Sequence, residues 1–434
     1  MTQITRRDVL RAGAGGAAML AVGVPQAAAA GARRRSDHGA GIVIEWNRTL
    51  LGILRTAGAH PATIHPTRSF AILHAAVHDA VTAATGEHRP YHLDVKATGH
   101  ASPVAAAAQA AHDTLVALYP AETGTLDRQL AADLAAVPDG SARTHGVQIG
   151  ALTATSVLAD RADDGSAATP PLLAPGTDPG QYRPTPPAFA PAVFTHWPAV
   201  RPFVLDRADA FRPAAYPPLT GDAYADALNE VRFRGQDVST SRTVDQTIQA
   251  RFWGAPIWNY WNEIAQSVAL ARSSGIATAA HLFAALNLAF ADAVIAFYDA
   301  KYHYRVWRPI TAVRLADSDG NPGTTADPAW NPLATTPSDP SYPGAHSVIS
   351  EAGATILTRF YGPARPITVT SEVLPGVTRV FHRFQDAAEE AGRSRIYAGV
   401  HTRLDHDAGQ RLGRDVARFV VAATVGSRIA RSTA

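Results

Sequence analysis

The stretch IATAAHLFAALNLAFADAVIAFYDAKYHYRVWRP, residues 276–309, decides the fold. It is apolar at nearly every position up to Ala300, so a helix here would be buried on all sides rather than along one stripe. His281, Asn287, Asp292 and Asp299 interrupt the run. A membrane span needs about 20 predominantly apolar residues, so the run reads as the central helix of a bundle. Gly275 opens it, and Pro309 closes it by restricting the residue before it. Working outward, apolar residues at three and four spacings predict helices over 42–55, 67–84, 103–118, 126–136 and 142–162, and then over 222–233, 244–252, 257–273, 346–361, 383–392 and 398–424. Pro120 and Pro138 fall between the early helices. The segments 310–314 and 367–370 are the only strand-like pieces. The chain therefore reads as all-α, with two helical-bundle halves.

The remaining segments complete the organisation. Residues 1–30 carry Thr5-Arg6-Arg7-Asp8-Val9-Leu10, then an Ala, Gly and Val stretch, then small residues at Ala28 and Ala30. This is the layout of a twin-arginine export signal, so an extracellular or cell-envelope location is expected. Residues 31–169 form the N-terminal helical half. Residues 170–218 are rich in proline and aromatics, including Tyr182, Trp197 and Phe203, and read as an ordered crossover. Residues 219–434 form the C-terminal bundle, interrupted by a proline-rich loop over 317–342. Among 434 residues, 46% are hydrophobic and 18% charged, which excludes a disordered chain. A net charge of +2 gives no reason to expect a nucleic-acid partner, and stable membrane insertion is not expected. With no cysteine, thiolate metal sites and a cysteine nucleophile are excluded. Lys96 and Lys301 are the only lysines in a chain otherwise supplied with arginine, which marks position 301.

Three short stretches carry chemistry. In the first, Lys301 and Arg308 are seven apart, two turns of a continuing helix, with Arg305 between them on the same side. In the second, Tyr342-Pro343-Gly344-Ala345-His346 opens a helix, where backbone N–H groups at 344 and 345 would favour an anion. His346 would exchange a proton with that anion. In the third, Arg395 is followed by His401 and Asp405 at i, i+4 spacing, so that Asp405 would fix one imidazole nitrogen and leave the other free. Taken singly, these are also a basic helix end, an N-capped helix and a surface ion pair. Together they supply the fixed positive charge and donors that a tetrahedral oxyanion requires.

Lys301-x6-Arg308-Pro309, Pro343-Gly344-Ala345-His346 and Ser394-Arg395-x5-His401-x3-Asp405 resemble the three-part signature of vanadium-dependent haloperoxidases and type 2 phosphatidic acid phosphatases. Trp46, Arg68, His74, Asp79, Arg242-Thr243, Arg251-Phe252-Trp253 and Glu390-Ala391-Gly392 also resemble bacterial haloperoxidase-like proteins, so the likeness covers most of the chain. The resemblance implies helical bundles of the vanadium haloperoxidase type. It implies vanadate as cofactor, with phosphate able to occupy the same site. Lys301, Arg308 and Arg395 would bind equatorial oxygens, and His401 would be the axial vanadium ligand. Asp405 would orient His401, and His346 would be the acid–base group. The implied reaction is oxidation of halide by hydrogen peroxide. The first alternative is an exported acid phosphatase, in which His401 becomes a phosphohistidine during attack on a phosphate ester. The second is a non-catalytic oxyanion-binding relic.

One departure stands out. The second part usually reads Pro-Ser-Gly-His, and here glycine and alanine replace serine and glycine. The lost hydrogen bond to a charged group is worth roughly 1.5–3 kcal/mol, unless Ser341 or Ser347 fills the gap. Elsewhere, His74 and His78 have the i, i+4 spacing of a metal pair, but the three residues between them are Ala75, Ala76 and Val77, with no glutamate. A polar helix seam is the simpler account. Phe252, Trp253, Trp258, Tyr260 and Trp261 read as core aromatics that would also wall a pocket.

Overall fold

The computed structural model describes residues 39–97 and 99–425. The export signal expected over 1–30 lies outside the described residues. The first bundle comprises α1 (Gly41–Arg55), α2 (Pro66–Thr85), α3 (Pro103–Leu118), α4 (Thr123–Ala135) and α5 (Ser141–Asp160). Proline at the first turn and a side-chain cap start two of these helices: His65 accepts from Thr67 N before α2, and Ser102 accepts from Ala105 N before α3. The chain then crosses over with only a short 3-10 turn, Trp197–Ala199, among regular elements. Tyr182, Trp197, Phe203 and Leu205 are buried and anchor this crossover.

The second bundle comprises α6 (Asp222–Arg234), α7 (Val244–Phe252), α8 (Ile257–Ala271), α9 (Ile276–Tyr304), α10 (Pro309–Arg314), α11 (Ala345–Tyr361), α12 (Phe384–Tyr397) and α13 (Arg403–Val425). Between α11 and α12, β1 (Ala364–Thr370) pairs antiparallel with β2 (Thr378–Arg383), with Ile367 opposite Phe381 and Thr370 opposite Thr378. By length and composition α9 could cross a membrane, yet its apolar window is wholly buried in protein. It packs against α2, α11 and α13, and one hydrophobic cluster runs from α1 to α13.

The polar interruptions of the apolar helices have structural partners. Asp292 on α9 accepts hydrogen bonds from the amides of Phe203, Val204 and Leu205, at 2.6–2.8 Å. Asp79 on α2 does the same for Tyr91, His92 and Leu93. Each buried carboxylate pins a loop by satisfying three consecutive backbone donors. Burial is the larger influence on Asp292 and raises its pKa to about 6, although the amides act the other way.

Three local expectations are corrected. Residues 310–314 are helical, because Pro309 occupies the first turn of α10 after an extended Arg308. The strand over 378–383 was missed, because its one buried residue, Phe381, lies between exposed positions, Val380 and His382, and the strand has no buried alternation. The helix expected over 398–424 begins at Arg403, and α12 runs on to Tyr397, because Gly399 adopts φ 80° and breaks the run.

At the crossing of α11 and α13, a Cβ added at Gly413 would lie 2.0 Å from the Val348 carbonyl oxygen. Gly413→Ala should therefore destabilise the protein by about 1–3 kcal/mol through overpacking. Gly52→Ala, on an open face of α1 where an added Cβ meets nothing within 4 Å, should be neutral or stabilise by up to about 1 kcal/mol. Chemical unfolding of the two variants against the parent measures both effects.

Candidate oxyanion-binding site

Lys301 sits in the last turn of α9, fully buried. Its ammonium donates to the carbonyls of Pro340 and Ser341 and pairs with Asp339 Oδ2 at 3.2 Å. The helix does not continue to Arg308. Arg305 turns left-handed at φ 52°, and Val306 joins an isolated bridge with Gln181. Arg308 thus reaches Lys301 through an extended link rather than by two helical turns. Arg305 is diverted to the Ala174 carbonyl and leaves the cluster, contrary to the spacing argument. Arg308 is buried and donates to the Asp339 carbonyl at 2.7 Å, to the Asp339 carboxylate, and to the Val400 carbonyl at 2.8 Å.

Gly344 caps α11 with extended backbone, φ −75° and ψ 113°. Its N–H donates to the Asp405 carbonyl at 2.9 Å, so it offers no donor to an anion, which corrects one sequence expectation. Ala345 lines the cavity as the first residue of α11. His346 Nε2 lies 3.0 Å from the Trp253 carbonyl, which fixes the proton on Nε2 and leaves Nδ1 as the acceptor. Burial, then the Arg395 charge, hold this imidazole neutral, with a pKa well below the ordinary value. Neither nearby hydroxyl replaces the missing serine. Ser341 Oγ donates to Asp405 Oδ2 at 2.7 Å, and Ser347 Oγ pairs with His406 Nδ1 at 2.9 Å.

Arg395 closes α12. It is 7% exposed, and its Nη1 is buried without a hydrogen-bond partner. Burial, then Arg308, lower its pKa to about 10. His401 lies in the link after Gly399, not on a helix, so the expected i, i+4 helical face is replaced by a helix-entry turn. Its Nδ1 faces Asp405 Oδ2 at 3.1 Å, and its Nε2 lies 3.2 Å from Arg308 Nη1. Asp405 also accepts from the Thr402 amide at 2.8 Å. Burial and Arg308 lower the His401 pKa to about 3, so the ring is neutral and Nε2 keeps its lone pair.

Lys301, Arg308, Ala345, His346, Arg395 and His401 line one cavity of about 370 Å³, with Asp405 and Gly344 packed behind it. His65 and the crossover residues Val193 and Phe194 wall the same cavity with Trp258, Phe297 and Tyr298. The site is therefore walled by the N-terminal half and the crossover as well as by the C-terminal bundle. Asp339 also lines it and was missed. The available signal was that Asp339 is the only acidic residue between Asp327 and Glu351. Burial works to raise the Asp339 pKa, but Lys301 and Arg308 outweigh it and hold the carboxyl below its usual range. Three cations against Asp339 and Asp405 leave one net positive charge. That balance, with the unpartnered Arg395 nitrogen, fits a singly charged oxyanion such as vanadate or phosphate.

His74 and His78 do not form a metal pair: His74 Nε2 meets Asn47 at 2.8 Å, and His78 Nε2 meets the Arg89 carbonyl at 2.8 Å. No group of three or more His, Asp or Glu side chains suited to a metal ion occurs among the described residues. Phe252, Trp253, Tyr260 and Trp261 are core residues.

Burial lowers the Lys301 pKa to about 8, with Asp339 opposing it. Lys301 is therefore cationic below that pH and neutral above it. Phosphate affinity, measured by calorimetry in oxyanion-free buffers, should fall as pH rises through about 8. Lys301→Met should bind more weakly at neutral pH and lose most of that alkaline decline.

Residues 281–427 match the family model of the second helical-bundle domain of vanadium chloroperoxidase. The vanadium chloroperoxidase of Curvularia inaequalis is 28% identical over an alignment of 237 residues that covers 40% of this chain and 38% of that protein. The chain thus matches well under half the length of that curated relative. The first bacterial vanadium-dependent iodoperoxidase to be solved is 25% identical, covers 89% of this chain and 96% of its own, and superposes with a TM-score of 0.77. A holo-type bacterial vanadium-dependent chloroperoxidase, at 15% identity and a TM-score of 0.66 over 83% of this chain and 92% of its own, shares the fold. With the cavity and its residues in place, residues 281–427 match the second helical-bundle domain of vanadium chloroperoxidase, and the chain as a whole has the helical-bundle fold of the bacterial vanadium-dependent haloperoxidases.

Proposed function

We propose that this protein is a vanadate-dependent haloperoxidase-like enzyme that uses hydrogen peroxide to oxidise a halide. The observation that carries the reading is the buried, unpartnered Arg395 nitrogen in the cavity that also holds the neutral His401. Arg395, Lys301 and Arg308 hold the oxyanion's oxygens by charge-assisted hydrogen bonds. His401 Nε2 would ligate vanadate, and Asp405 holds the opposite ring nitrogen so that the lone pair stays on Nε2. His346, with Nδ1 unprotonated, would accept and return a proton beside the bound anion. When bound, vanadate supplies Lewis-acid activation of peroxide without a change of oxidation state. Phe194, Trp258 and Phe297 thin the water around the anion and so strengthen each polar contact there. Residues 5–10 support export by the twin-arginine route as part of this proposal.

The acid phosphatase reading uses the same His401 as nucleophile toward a phosphate ester. The glycine at 344 favours the relic, because no hydroxyl replaces the serine. Purified mature protein should oxidise bromide when given peroxide and vanadate, and His401→Ala should reduce that rate at least about a thousandfold with the circular dichroism spectrum unchanged. Release of phosphate from an aryl ester without bromide oxidation would establish the phosphatase instead. Oxyanion binding with neither activity would establish the relic.

A further inference from the structure

Asp339 has no role in the scheme above, yet it lies inside the oxyanion cavity. It is buried, its Oδ2 is 3.2 Å from Lys301 Nζ, and its Oδ1 pairs with Arg308 Nη2. Both cations that would hold an incoming anion are therefore already shared with a fixed carboxylate. Arg395 is not shared: its Nη1 has no partner. An oxyanion that bridges Arg395, Arg308 and Lys301 brings an oxygen up to Asp339.

The chemistry of that contact is restrictive. A carboxylate only accepts hydrogen bonds, and so does an unprotonated oxyanion oxygen. Two such oxygens pressed together in a buried pocket repel, and their repulsion is little screened there. The contact becomes favourable only when the anion brings its own proton, as an O–H that donates to Asp339. Orthophosphate and orthovanadate keep at least one hydroxyl near neutral pH, whereas sulfate has none. Resting on the oxyanion reading of this cavity, we propose that Asp339 is a specificity-determining residue: it admits hydroxyl-bearing oxyanions, and rejects fully deprotonated ones of the same shape.

The proposal explains why a carboxylate is tolerated in a site made for anions. Without Asp339, three buried cations would bind any small tetrahedral anion, and sulfate would compete. With it, part of the raw affinity is given up for selection by the ligand's proton.

Calorimetry at pH 7 with sodium phosphate, sodium orthovanadate and sodium sulfate, on the wild-type protein and on Asp339→Asn, tests the idea without any turnover. The wild type should bind phosphate and vanadate at least about tenfold more tightly than sulfate. Asp339→Asn offers a donor where the carboxylate offered none. It should bring sulfate to within about threefold of phosphate, mainly by tightening sulfate. Asp339→Ala, checked for the same melting temperature, serves if the asparagine variant unfolds. Equal wild-type affinity for sulfate and phosphate overturns the proposal while leaving the oxyanion site intact. So does an unchanged preference in a folded variant. If the wild type binds none of the three anions, both this proposal and the oxyanion reading fall.

Discussion

The arrangement turns on one buried residue, Asp405. Its carboxylate takes the His401 Nδ1 proton, the Thr402 amide and the Ser341 hydroxyl. Its backbone carbonyl takes the Gly344 amide. Two of the three sequence stretches that form the site are therefore tied to one side chain and its own peptide group. Ser341 also lends its carbonyl to Lys301, the cation of the remaining stretch. All three of the carboxylate's donors reach Oδ2, while Oδ1 is buried without a partner, so they alone offset the hydration that burial removes from the charge. The position of α13 follows from the same contact, and Gly413 lets it approach α11 closely enough for the contact to form.

Around Asp405 the protein buries more cation than a stable core requires. Lys301 and Arg308 are offset by Asp339 and by four backbone carbonyls: those of Pro340, Ser341, Asp339 and Val400. Arg395 is not offset, and burial pulls its pKa down accordingly. A desolvated guanidinium with an unpartnered donor is destabilising by itself, and a charge-assisted hydrogen bond to an anion would offset that cost. Burial and neighbouring cations push the two histidines in the same direction, and these weaker bases are thereby kept neutral. One environment thus leaves the strong bases charged to hold the anion and the weak bases neutral to ligate it or exchange a proton with it.

Much of this was legible from sequence. The bounds of α3 and α7 and the start of α9 follow directly from periodicity and from the glycine and proline punctuation, and the three site stretches were recognisable by their order and spacing. The failures share a cause. Spacing arithmetic for Lys301 and Arg308, and for His401 and Asp405, assumed that a helix continued, whereas Arg305 and Gly399 turn left-handed just before the second cation and the histidine. A non-glycine residue at positive φ leaves almost no trace in sequence. Asp339 was illegible for a different reason: a lone aspartate in a proline-rich loop looks like turn chemistry, and only the folded path of residues 336–341 brings it against two cations from another element.

Those two breaks also explain why the site exists at all. On an unbroken helix, Lys301 and Arg308 would be stacked along one face about 10 Å apart, with their heads pointing to separate places. By leaving the helix at Arg305, the chain brings Arg308 back across the end of α9, so both cations meet the same carboxylate. By leaving it at Gly399, the chain sets His401 before α13 begins, where Asp405, in the first turn, can reach back to its ring. Rigid helices carry the loads, and short non-helical links aim the side chains. The pocket therefore forms at the ends of α9, α11 and α12 and at the entry to α13, where regular structure gives way, rather than on any helix face.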